Sequence, residues 1–385
     1  MDPKDKQKTI RTFALASFLN DFGSDMIYPV WPLFVTTVLG ANMAVLGFLD
    51  GLGEALVSIS QAISGYASDK LRKRKIFVWT GYLCGALSRI GYAFSTAWPH
   101  LIPFRVLDRA GKMRGAPRDA ILADVSSDED RGRNFGLVRS MDNLGAVFGI
   151  VTCILFIKFL GYRTLFLIAA VPSVISSILI FTSVKEGQSS DKKIFKGLAF
   201  KDLNRDFKLF LALSAVFAFG SFSYSFLLIY AKGVGFSAVF LPVLYLIFTV
   251  VAAVFSLPFG KLSDRIGRKQ VMMLSFLFWA FVCAASILFH NKIAVVAMFI
   301  LFGLHKAAIE PVQKTFVSEL APAEYRASSL GGFQMVIGLC ALPASLIAGL
   351  LWDKIGFIIP FYFSLALTIL SIIIVMFVKE KNMGR

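Results

Sequence analysis

The sequence predicts an all-α membrane protein of twelve transmembrane helices in two pseudo-symmetric six-helix bundles, with both termini in the cytoplasm. Three observations predict it: an apolar composition, a series of long apolar segments, and a motif that occurs twice. Hydrophobic residues make up 57% of the 385 residues and charged residues 17%, whereas soluble domains average about 45–50% and about 25%. A chain of this composition is not expected to fold as a soluble globule.

The apolar segments are each long enough to cross a bilayer, which takes about 20 helical residues. Those of the first half are 12–38, 43–67, 76–96, 100–123, 134–159 and 163–184. Those of the second half are 208–231, 236–260, 270–289, 292–318, 327–351 and 356–378. A polar stretch separates the halves, so we expect a first bundle over 1–184, a cytoplasmic linker over 185–207 and a second bundle over 208–385.

The repeated motif reads GYASDKLRKRK at 65–75 and GKLSDRIGRKQ at 260–270. A single offset of 195 residues relates Gly65 to Gly260, Asp69 to Asp264, Asp124 to Glu319 and Arg131 to Arg326. A constant offset over such a distance indicates an internal duplication. Parallel halves of this kind build many secondary transporters, in which the substrate site lies between the halves.

The net charge of +16 raises the question of a nucleic-acid partner, but its distribution indicates a membrane. Basic residues gather after the second and eighth spans, in the linker and at both ends of the chain. The opposite loops carry only single basic residues such as Lys232, Lys292 and Lys354. This is the positive-inside bias, so the termini are expected in the cytoplasm, the lipid bilayer is the expected partner, and no nucleic acid is expected.

The cysteines give no sign of a metal site or a disulfide. Cys84, Cys153, Cys283 and Cys340 lie in separate predicted spans without ligand spacing. Buried free thiols are the expectation, and neither a metal nor a cofactor is expected.

The repeated motif resembles the signature loop of the major facilitator superfamily, found between helices 2 and 3 and again between helices 8 and 9. GKLSDRIGRK at 260–269 follows it closely, while GYASDKLRKR at 65–74 has Arg72 where the family usually has Gly. The resemblance covers essentially the whole chain. It implies a twelve-helix secondary transporter that works as a monomer, here in the cytoplasmic membrane of a prokaryote.

Two further segments resemble drug/proton antiporters of that family more loosely. DMIYPVWP at 25–32 is similar to their first-helix motif, and LIPFRVLDRAG at 101–111 to their fourth-helix motif, which implies that Arg105 takes part in proton transfer. Ile150 stands where antiporters have Pro, and Asp108 and Arg109 replace the preferred Gln and Gly. These departures weaken the drug-exporter interpretation. RGAPRDAILAD at 114–124 resembles a group of prokaryotic permeases whose substrates the resemblance does not name.

Charged residues inside the predicted spans are concentrated in the first half. Each costs at least about 2.5–3.5 kcal/mol on insertion and therefore needs a partner or a water-filled cavity. The acids are Asp21, Asp25, Asp50, Glu54, Asp108, Asp119 and Asp142; the bases are Arg89, Arg105, Arg109, Lys112, Arg114, Arg118 and Arg139. They either pair around a functional polar cavity or form static pairs that hold the bundle together.

Spacing on the fourth helix predicts one charged face. At about 100° per residue, that face holds Arg105, Asp108, Arg109, Lys112 and Asp119, whereas Arg114 and Arg118 point away. Carboxylates beside arginines change their proton affinity when a cavity alternates between wet and dry. Proton coupling is therefore assigned to Asp21, Asp25, Arg105, Asp108 and Arg109.

The substrate cavity is assigned to charged residues from both halves. They are Asp50, Glu54, Arg89, Lys112, Arg139, Asp142, Lys306, Glu310 and Lys314. The last three recur every four residues on the tenth helix, which Pro311 is expected to interrupt. They either bind an anionic substrate group or form a self-contained ladder, and His305 is expected to be a packed polar residue.

Gating is assigned to the repeated loops. Its residues are Gly65, Asp69, Asp124, Arg131, Gly260, Asp264, Arg265, Arg268, Glu319 and Arg326. The resemblance implies that such loops latch the outward-open state. The alternative, that these charges only orient the chain, explains the basic residues but not the recurring Gly and Asp.

Aromatic residues on helices 1, 7 and 8 either cage an organic substrate or pack in the core. They are Tyr28, Trp31, Phe222, Tyr224, Tyr230 and Tyr245.

The expected function is proton-coupled transport of a small polar, charged organic solute, with a multidrug/proton antiporter as the alternative. A receptor or an intramembrane enzyme is the remaining interpretation. The paired loops argue against a receptor, and no nucleophile–base spacing or Gly-rich phosphate loop supports an enzyme, so no catalytic residue is assigned. The substrate, its direction, the coupling stoichiometry and the proton-carrying acid stay open.

Overall fold

A computed structural model of the chain describes residues 3–127, 130–185, 205–321, 326–378 and 380. These residues are helical or form short connections, and no strand occurs among them. They divide into two compact units, one within Met1–Gly40 and Leu56–Phe195, the other within Ala41–Ala55 and Lys196–Arg385. The bundle boundaries expected from the sequence stay a prediction, and most of the expected linker lies outside the described residues.

The helices of the first half are α1 (Pro3–Ile27), α2 (Trp31–Leu33), α3 (Met43–Leu71), α4 (Lys75–Phe94), α5 (Leu101–Ala110), α6 (Gly115–Val125) and α7 (Arg131–Ser183). A π-helical turn follows α2 at Phe34–Val38, and 3₁₀ turns lie at Trp98–His100 and Gly111–Arg114. Pro29 lacks a backbone N–H and stands two residues after the end of α1, so the first span is broken there. This break positions Tyr28 and Trp31 for the site described below.

The helices of the second half are α8 (Arg205–Gly220), α9 (Tyr224–Gly233), α10 (Leu241–Ile266), α11 (Arg268–Leu288), α12 (Lys292–Leu320), α13 (Arg326–Lys354) and α14 (Ile359–Phe377). Two of these helices, α9 and α12, begin with a side-chain cap. The hydroxyl of Ser223 accepts the N–H of Ser225 at α9, and Asn291 Oδ1 accepts the N–H of Ala294 at α12 over 2.9 Å. Such caps satisfy N–H groups that have no partner within the helix.

Helix α7 consists of two arms rather than one straight helix. Its 53 residues would extend about 80 Å as a straight helix, far more than a bilayer's thickness. Gly161, with φ 69°, breaks the helical geometry. After the break the chain returns to α1, where the hydroxyl of Ser176 donates to the carbonyl of Ala16 over 2.9 Å. The two predicted spans at 134–159 and 163–184 are therefore the two arms of α7.

The first arm of α7 packs tightly on α1. A methyl group added at Gly145 would meet the backbone of Phe18, and one added at Gly149 would meet the backbone of Phe22. Small residues at such a crossing let two helices in a membrane approach closely. The contact fixes α1 beside α7, with the polar residues of both helices in reach of each other.

Eight helices among the described residues are long and apolar enough to cross a membrane. They include α3, α7, the α8–α9 pair and each helix from α10 to α14. The first span, with Asp21 and Asp25, and the α5–α6 segment do not meet this criterion because charged residues lower their hydropathy. Helical residues cover every predicted span, and the number of crossings stays a prediction.

The first part of α3 packs within the second unit, on α13. The backbone of Ser345 lies against Gly47, and that of Leu342 against Gly51. Asp353, near the end of α13, accepts the N–H of Met43 over 3.1 Å. One face of α3 is thus glycine-lined where it meets α13, and the start of α3 is capped by a distant carboxylate.

Candidate functional site

Two arginines of α5 lie over two aromatic rings at the break of the first span. The guanidinium carbon of Arg105 is 4.6 Å from the ring centre of Trp31, and that of Arg109 is 5.2 Å from the ring centre of Tyr28. The arginines are four residues apart, one helical turn. Both are buried, and a desolvated cation–π contact contributes about 2 kcal/mol or more. These two contacts join α5 to the end of α1.

Asp108 lies beside these arginines. Its Oδ2 is 3.4 Å from Nε of Arg109, and both side chains are about nine-tenths buried. The pair is within salt-bridge range but longer than a well-formed hydrogen bond. Asp108 also lines a small cleft with Arg105, so a buried carboxylate and two guanidinium groups share one place in the first unit.

The cleft is small, with room for about one water molecule. Its lining comprises Ser24, Ile27, Tyr28, Trp31, Arg89, Tyr92, Arg105 and Asp108. Trp31 also contacts Tyr92, with ring centres 4.9 Å apart. Pockets for drug-sized ligands run to about 300–1,000 Å³, so the cleft must widen to admit an organic solute.

Arg89 of α4 is anchored by neutral oxygen atoms. Its guanidinium donates to the carbonyl of Ala169 over 2.8 Å and to the hydroxyl of Ser24 over 2.7 Å. It also donates to the carbonyl of Asn20 over 3.2 Å and to the hydroxyl of Ser173. Arg89 is 2% exposed. It therefore fastens α4 to α1 and to the second arm of α7, while also lining the cleft.

A second polar cluster joins α6 to α1 and α7. Arg118 lies 3.6 Å from Asp142 Oδ1, donates to the hydroxyl of Ser17 over 2.9 Å and contacts Asp119 over 3.1 Å. On α1, the amide of Asn20 donates to Asp21 over 2.8 Å.

Arg118 was expected to point away from the charged face, and the structure corrects this. The 3₁₀ turn at Gly111–Arg114 rotates by about 120° per residue instead of 100°. The α-helical phase counted from Arg105 is therefore lost beyond Ala110. Asp119 is exposed and Arg118 is the residue directed at α7.

Other assigned residues are not among those that line the cleft. Asp50 and Glu54 belong to the second unit, with Asp50 buried and Glu54 exposed. Lys112 is half-buried and Arg139 is exposed. Asp25 is half-buried on α1 and makes contacts of its own. None of these positions tests the assigned roles, which stay predictions.

Helix α12 holds the second-unit candidates. His305 is buried, with Nδ1 2.9 Å from Oγ of Ser275, and its ring packs against Trp279; this confirms a packed polar residue. The ammonium of Lys306 lies 5.7 Å from the ring centre of Phe302. Glu310 and Lys314 are exposed, and within the described part of the chain no ion pair joins these three charged residues.

The expectation that Pro311 interrupts this helix was wrong. Helix α12 runs unbroken from Lys292 to Leu320 with Pro311 inside it. The hydroxyl of Thr315 donates to the carbonyl of Pro311 over 3.0 Å. Pro311 has no N–H and so frees the carbonyl of Ala307, four residues earlier, but helices in membranes tolerate such a proline and α12 continues through it.

The repeated loops form equivalent contacts at their start. The hydroxyl of Ser68 donates to the carbonyl of Gly65 over 3.1 Å, and that of Ser263 to the carbonyl of Gly260 over 2.7 Å. Ser68 and Ser263 are related by the same offset of 195 residues. The two motifs therefore share this serine as well as the glycine and the aspartate. The sequence showed the repeated serine, but it was not singled out above.

The acidic residues downstream of each motif are bound by the loops. Asp124 lies 2.5 Å from Nη1 of Arg74, and Glu319 lies 3.0 Å from Nη2 of Arg268. Arg268 also contacts Asp264. Arg131 and Arg265 are exposed, whereas the side chains of Asp69 and Arg326 lie outside the described residues.

The two loops differ in how they turn. Arg72 has φ 54°, and its equivalent Gly267 has φ 108°. Arg72 is the one residue other than glycine with positive φ in the described part of the chain. The first-half turn therefore keeps a backbone conformation that favours glycine, although Arg72 occupies that position.

The aromatic candidates separate into two groups. Tyr28 and Trp31 line the cleft. Phe222 contacts Trp279 at 5.4 Å, and the hydroxyl of Tyr230 donates to the carbonyl of Ser286 over 2.9 Å. The ring centres of Tyr224 and Tyr245 are 5.1 Å apart. These two tyrosines, Phe222 and Tyr230 all pack within the second unit.

The apolar helices, the duplicated loops and the buried charges together define an integral membrane transporter. A sequence profile of the Major Facilitator Superfamily matches residues 13–253 and 209–384. An uncharacterized MFS-type transporter of Methanocaldococcus jannaschii is 36% identical over 384 residues, which is 97% of this chain and 96% of that one. The chain belongs to the Major Facilitator Superfamily and is a transporter of small molecules, not an enzyme.

Two solved structures share the fold at low sequence identity. A variant of the nucleoside transporter NupG gives a TM-score of 0.80 at 15% identity, covering 97% of this chain and all of that one. A D-xylose-proton symporter gives a TM-score of 0.79 at 15% identity, covering 98% and 99%. At such identities the likeness concerns the fold.

Proposed function

We propose that this protein is a proton-coupled secondary transporter of a small polar, charged organic solute. It works as a monomer by alternating access in the cytoplasmic membrane of a prokaryote, with both termini in the cytoplasm. The observation that carries the proposal is the buried group of Arg105, Asp108 and Arg109, of which Arg105 and Asp108 line a small cleft.

The charge of the solute follows from the cost of burying this group. Buried ion pairs stabilise a fold weakly once their desolvation is counted, and apolar residues would serve packing as well. Charged residues inside membrane spans are accordingly functional by default. Arg105 and Asp108 line the cleft itself, which supports their use on a charged ligand.

Proton coupling is supported by the position of a carboxylate next to a guanidinium. Asp108 lies 3.4 Å from Arg109, and Asp21 lies on α1 in the neighbouring polar region. A carboxylate whose arginine partner is alternately engaged and released binds protons differently in the two states. Asp21, Asp25 and Asp108 are the acids proposed for this exchange, and a structural relative is a D-xylose-proton symporter.

The alternative is a multidrug/proton antiporter. Its support is that the first-helix segment DMIYPVWP supplies Tyr28 and Trp31 to the cleft. Two cationic side chains and one carboxylate line that cleft, however, and such a lining disfavours the lipophilic cations that many drug exporters carry.

The test is solute-driven proton movement in liposomes. Purified protein is reconstituted around a pH-sensitive dye, and small organic anions, neutral sugars and lipophilic cations are added in turn. We expect one class to change the lumenal pH, with the change lost in Asp108→Asn and kept in Asp119→Asn, whose side chain is exposed. Transport without any proton movement would refute the coupling, and movement driven by lipophilic cations alone would favour the antiporter.

A further inference from the structure

We infer that Lys306 of α12 binds the anionic group of the transported solute, and that a neighbouring aromatic cluster contacts the apolar part of that solute. The aromatic cluster comprises the rings of Tyr224, Tyr245, Phe248 and Phe302. The inference rests on the proposed function and names the chemical class of its substrate, an organic oxyanion with an aromatic or other apolar body. Every residue that carries it belongs to the second unit.

The first reason is the depth of Lys306 in the membrane. Helix α12 has 29 residues and is long and apolar enough to cross a bilayer, and Lys306 lies at its middle. The side chain is half-buried, and a cation at that depth needs an acidic partner or water. Among the residues that the structure describes, no carboxylate lies within salt-bridge distance of this ammonium.

The second reason is the charge of the helix face on which Lys306 lies. Glu310 and Lys314 follow at intervals of four residues, so the three side chains share one face. Both are exposed, and charged side chains in a membrane span do not face lipid, so this face lines a water-filled cavity. Two positive charges and one negative charge leave it with an excess of positive charge, which favours an anion.

The third reason is the way in which Lys306 is held. Its ammonium lies 5.7 Å from the ring centre of Phe302, close to the outer limit of about 6 Å for a cation–π contact. Within the described part of the chain, no hydrogen-bond acceptor is bound to this ammonium. An ammonium has three N–H donors, and the ring contact leaves them for the oxygen atoms of a ligand.

The fourth reason is the aromatic cluster that continues from Phe302. Ring centres are 5.1 Å apart for Phe302 and Phe248, 4.7 Å for Phe248 and Tyr245, and 5.1 Å for Tyr245 and Tyr224. Gly303 lets α12 approach α10 there, since an added methyl group would meet the carbonyl oxygen of Phe248. Tyr224 and Phe248 are half-buried, so both keep exposed ring surface for the apolar part of a ligand.

The alternative is that Lys306 and Glu310 form a static pair that only stabilises α12. Lys306→Met separates the two interpretations, because methionine keeps an unbranched side chain and removes the charge. A static pair predicts a lower melting temperature, since removing one partner of a buried pair is destabilising. A lysine kept for a ligand predicts an unchanged or higher melting temperature, since the variant removes the cost of a charge inside the membrane.

The experiment is calorimetric titration of the detergent-purified, full-length protein with five probes. Benzoate and phenyl phosphate carry both an oxyanion and a ring. Acetate carries the anion alone, benzyl alcohol the ring alone, and benzylammonium the opposite charge. The variants are Lys306→Met, Lys306→Arg, which keeps the charge, and Tyr224→Leu, which removes one ring of the aromatic cluster. Size exclusion and thermal unfolding verify that each variant is folded.

Lys292→Met is the matched control. Lys292 begins the same helix, and its ammonium lies 5.8 Å from the ring centre of Phe236, but its side chain is exposed. The control therefore removes the same charge and the same type of ring contact outside the proposed site.

We expect benzoate or phenyl phosphate to bind more tightly than acetate and benzyl alcohol. Lys306→Met should weaken this binding about tenfold or more, as expected when a hydrogen bond to a charged group is lost, whereas Lys306→Arg and Lys292→Met should stay close to the wild type. Tyr224→Leu should weaken binding of the aromatic anions about threefold and leave that of acetate unchanged.

Three results would overturn the inference. They are binding of benzylammonium alone, no binding of either aromatic anion at roughly 10 mM, a concentration that detects affinities as weak as about −3 kcal/mol, and equal affinities in Lys306→Met and the wild type. A lower melting temperature of Lys306→Met with unchanged affinity would instead identify the static pair.

The two proposals fail in different ways. Binding of an aromatic anion without flux in reconstituted liposomes refutes the transport function but leaves the site. Flux of a solute that Lys306→Met does not alter refutes the site but leaves the transport function.

Discussion

The carboxylate of Asp353 accepts a hydrogen bond from the backbone N–H of Ala44 over 2.7 Å, although 309 residues separate them in the chain. Its other oxygen accepts the N–H of Met43 over 3.1 Å. A carboxylate at this position satisfies two of the N–H groups that open the first turn of α3, and its charge suits the positive end of the helix dipole.

Removing this cap should weaken the contact of α3 with α13. We expect Asp353→Ala to lower the free energy of unfolding by about 1 kcal/mol, the usual value of a lost helix cap. In a unit of this size that lowers Tm by about 2–4 °C. Thermal unfolding followed by size exclusion measures it, with Asp353→Asn as the control that keeps an acceptor oxygen. Equal melting of Asp353→Ala and the parent protein would show that the cap contributes nothing.

The duplicated turns offer a matched pair of substitutions. Arg72 holds φ 54° without a glycine, so Arg72→Gly relieves about 1–2 kcal/mol of backbone strain and loses part of that gain to the greater freedom of the unfolded chain. The net expectation is a stabilisation of about 0.5 kcal/mol, measured by thermal unfolding.

The equivalent substitution in the second half, Gly267→Ala, should lower the free energy of unfolding. In Gly267→Ala a methyl group would stand at φ 108° and 2.8 Å from a carboxylate oxygen of Glu380. We expect a loss of about 1–3 kcal/mol, the usual cost of a strained backbone conformation. Stabilisation by both substitutions, or by neither, is the result that conflicts with a duplicated turn.

Arg89 should be required for folding of the first unit. In Arg89→Met the side-chain volume is nearly kept, but the hydrogen bonds to Ser24 and Ala169 are lost. A hydrogen bond to a charged group contributes about 1.5–3 kcal/mol, so we expect a loss of about 3–5 kcal/mol. Fluorescence-detected size exclusion after heating compares it with Arg133→Met on an exposed surface. A folded, equally stable Arg89→Met protein would mean that the helices do not depend on this guanidinium.

The second-half loop should be coupled through Arg268. Arg268 contacts both Asp264 and Glu319. A double-mutant cycle on Arg268→Ala and Glu319→Gln should give a coupling energy of about 0.5–1 kcal/mol, since Glu319 is partly exposed and solvent screens the pair. The matched cycle on Arg74→Ala and Asp124→Asn should give a similar coupling energy, because Asp124 is also partly exposed. Additive effects in the Arg268 cycle would count against a connected loop.

The sequence predicted the features that depend on local pattern. Apolar length located the helices, and the offset of 195 residues predicted the loops in which Asp124 and Glu319 are bound. The duplication predicts the acid of each ion pair, Asp124 and Glu319. It does not predict the basic partner, because Arg74 and Arg268 stand one position apart in the aligned motifs.

Contacts between distant segments were beyond the sequence. Nothing in the spacing of Asp353 or Ala44 indicates that they meet, since their contact depends on how α3 packs on α13. Arg118 was misplaced for a different reason: its direction was counted along a regular α-helix, and the 3₁₀ turn changed the phase. Pro311 was misjudged because a rule for helices in water was applied to a helix of a membrane protein, in which a proline is tolerated within a continuous helix.

Solute-driven proton flux into proteoliposomes is the most direct measurement. Liposomes that hold the wild-type protein and a lumenal pH dye receive small organic anions, neutral sugars and lipophilic cations in turn, and Asp108→Asn and Asp119→Asn are run beside the wild type. We predict that a charged solute changes the lumenal pH, that this change is lost in Asp108→Asn, and that it is kept in Asp119→Asn, whose side chain is exposed. Uptake of the labelled solute without a pH change, or equal pH changes in Asp108→Asn and the wild type, would show that the buried arginine–carboxylate group is not where a charged solute and a proton are coupled.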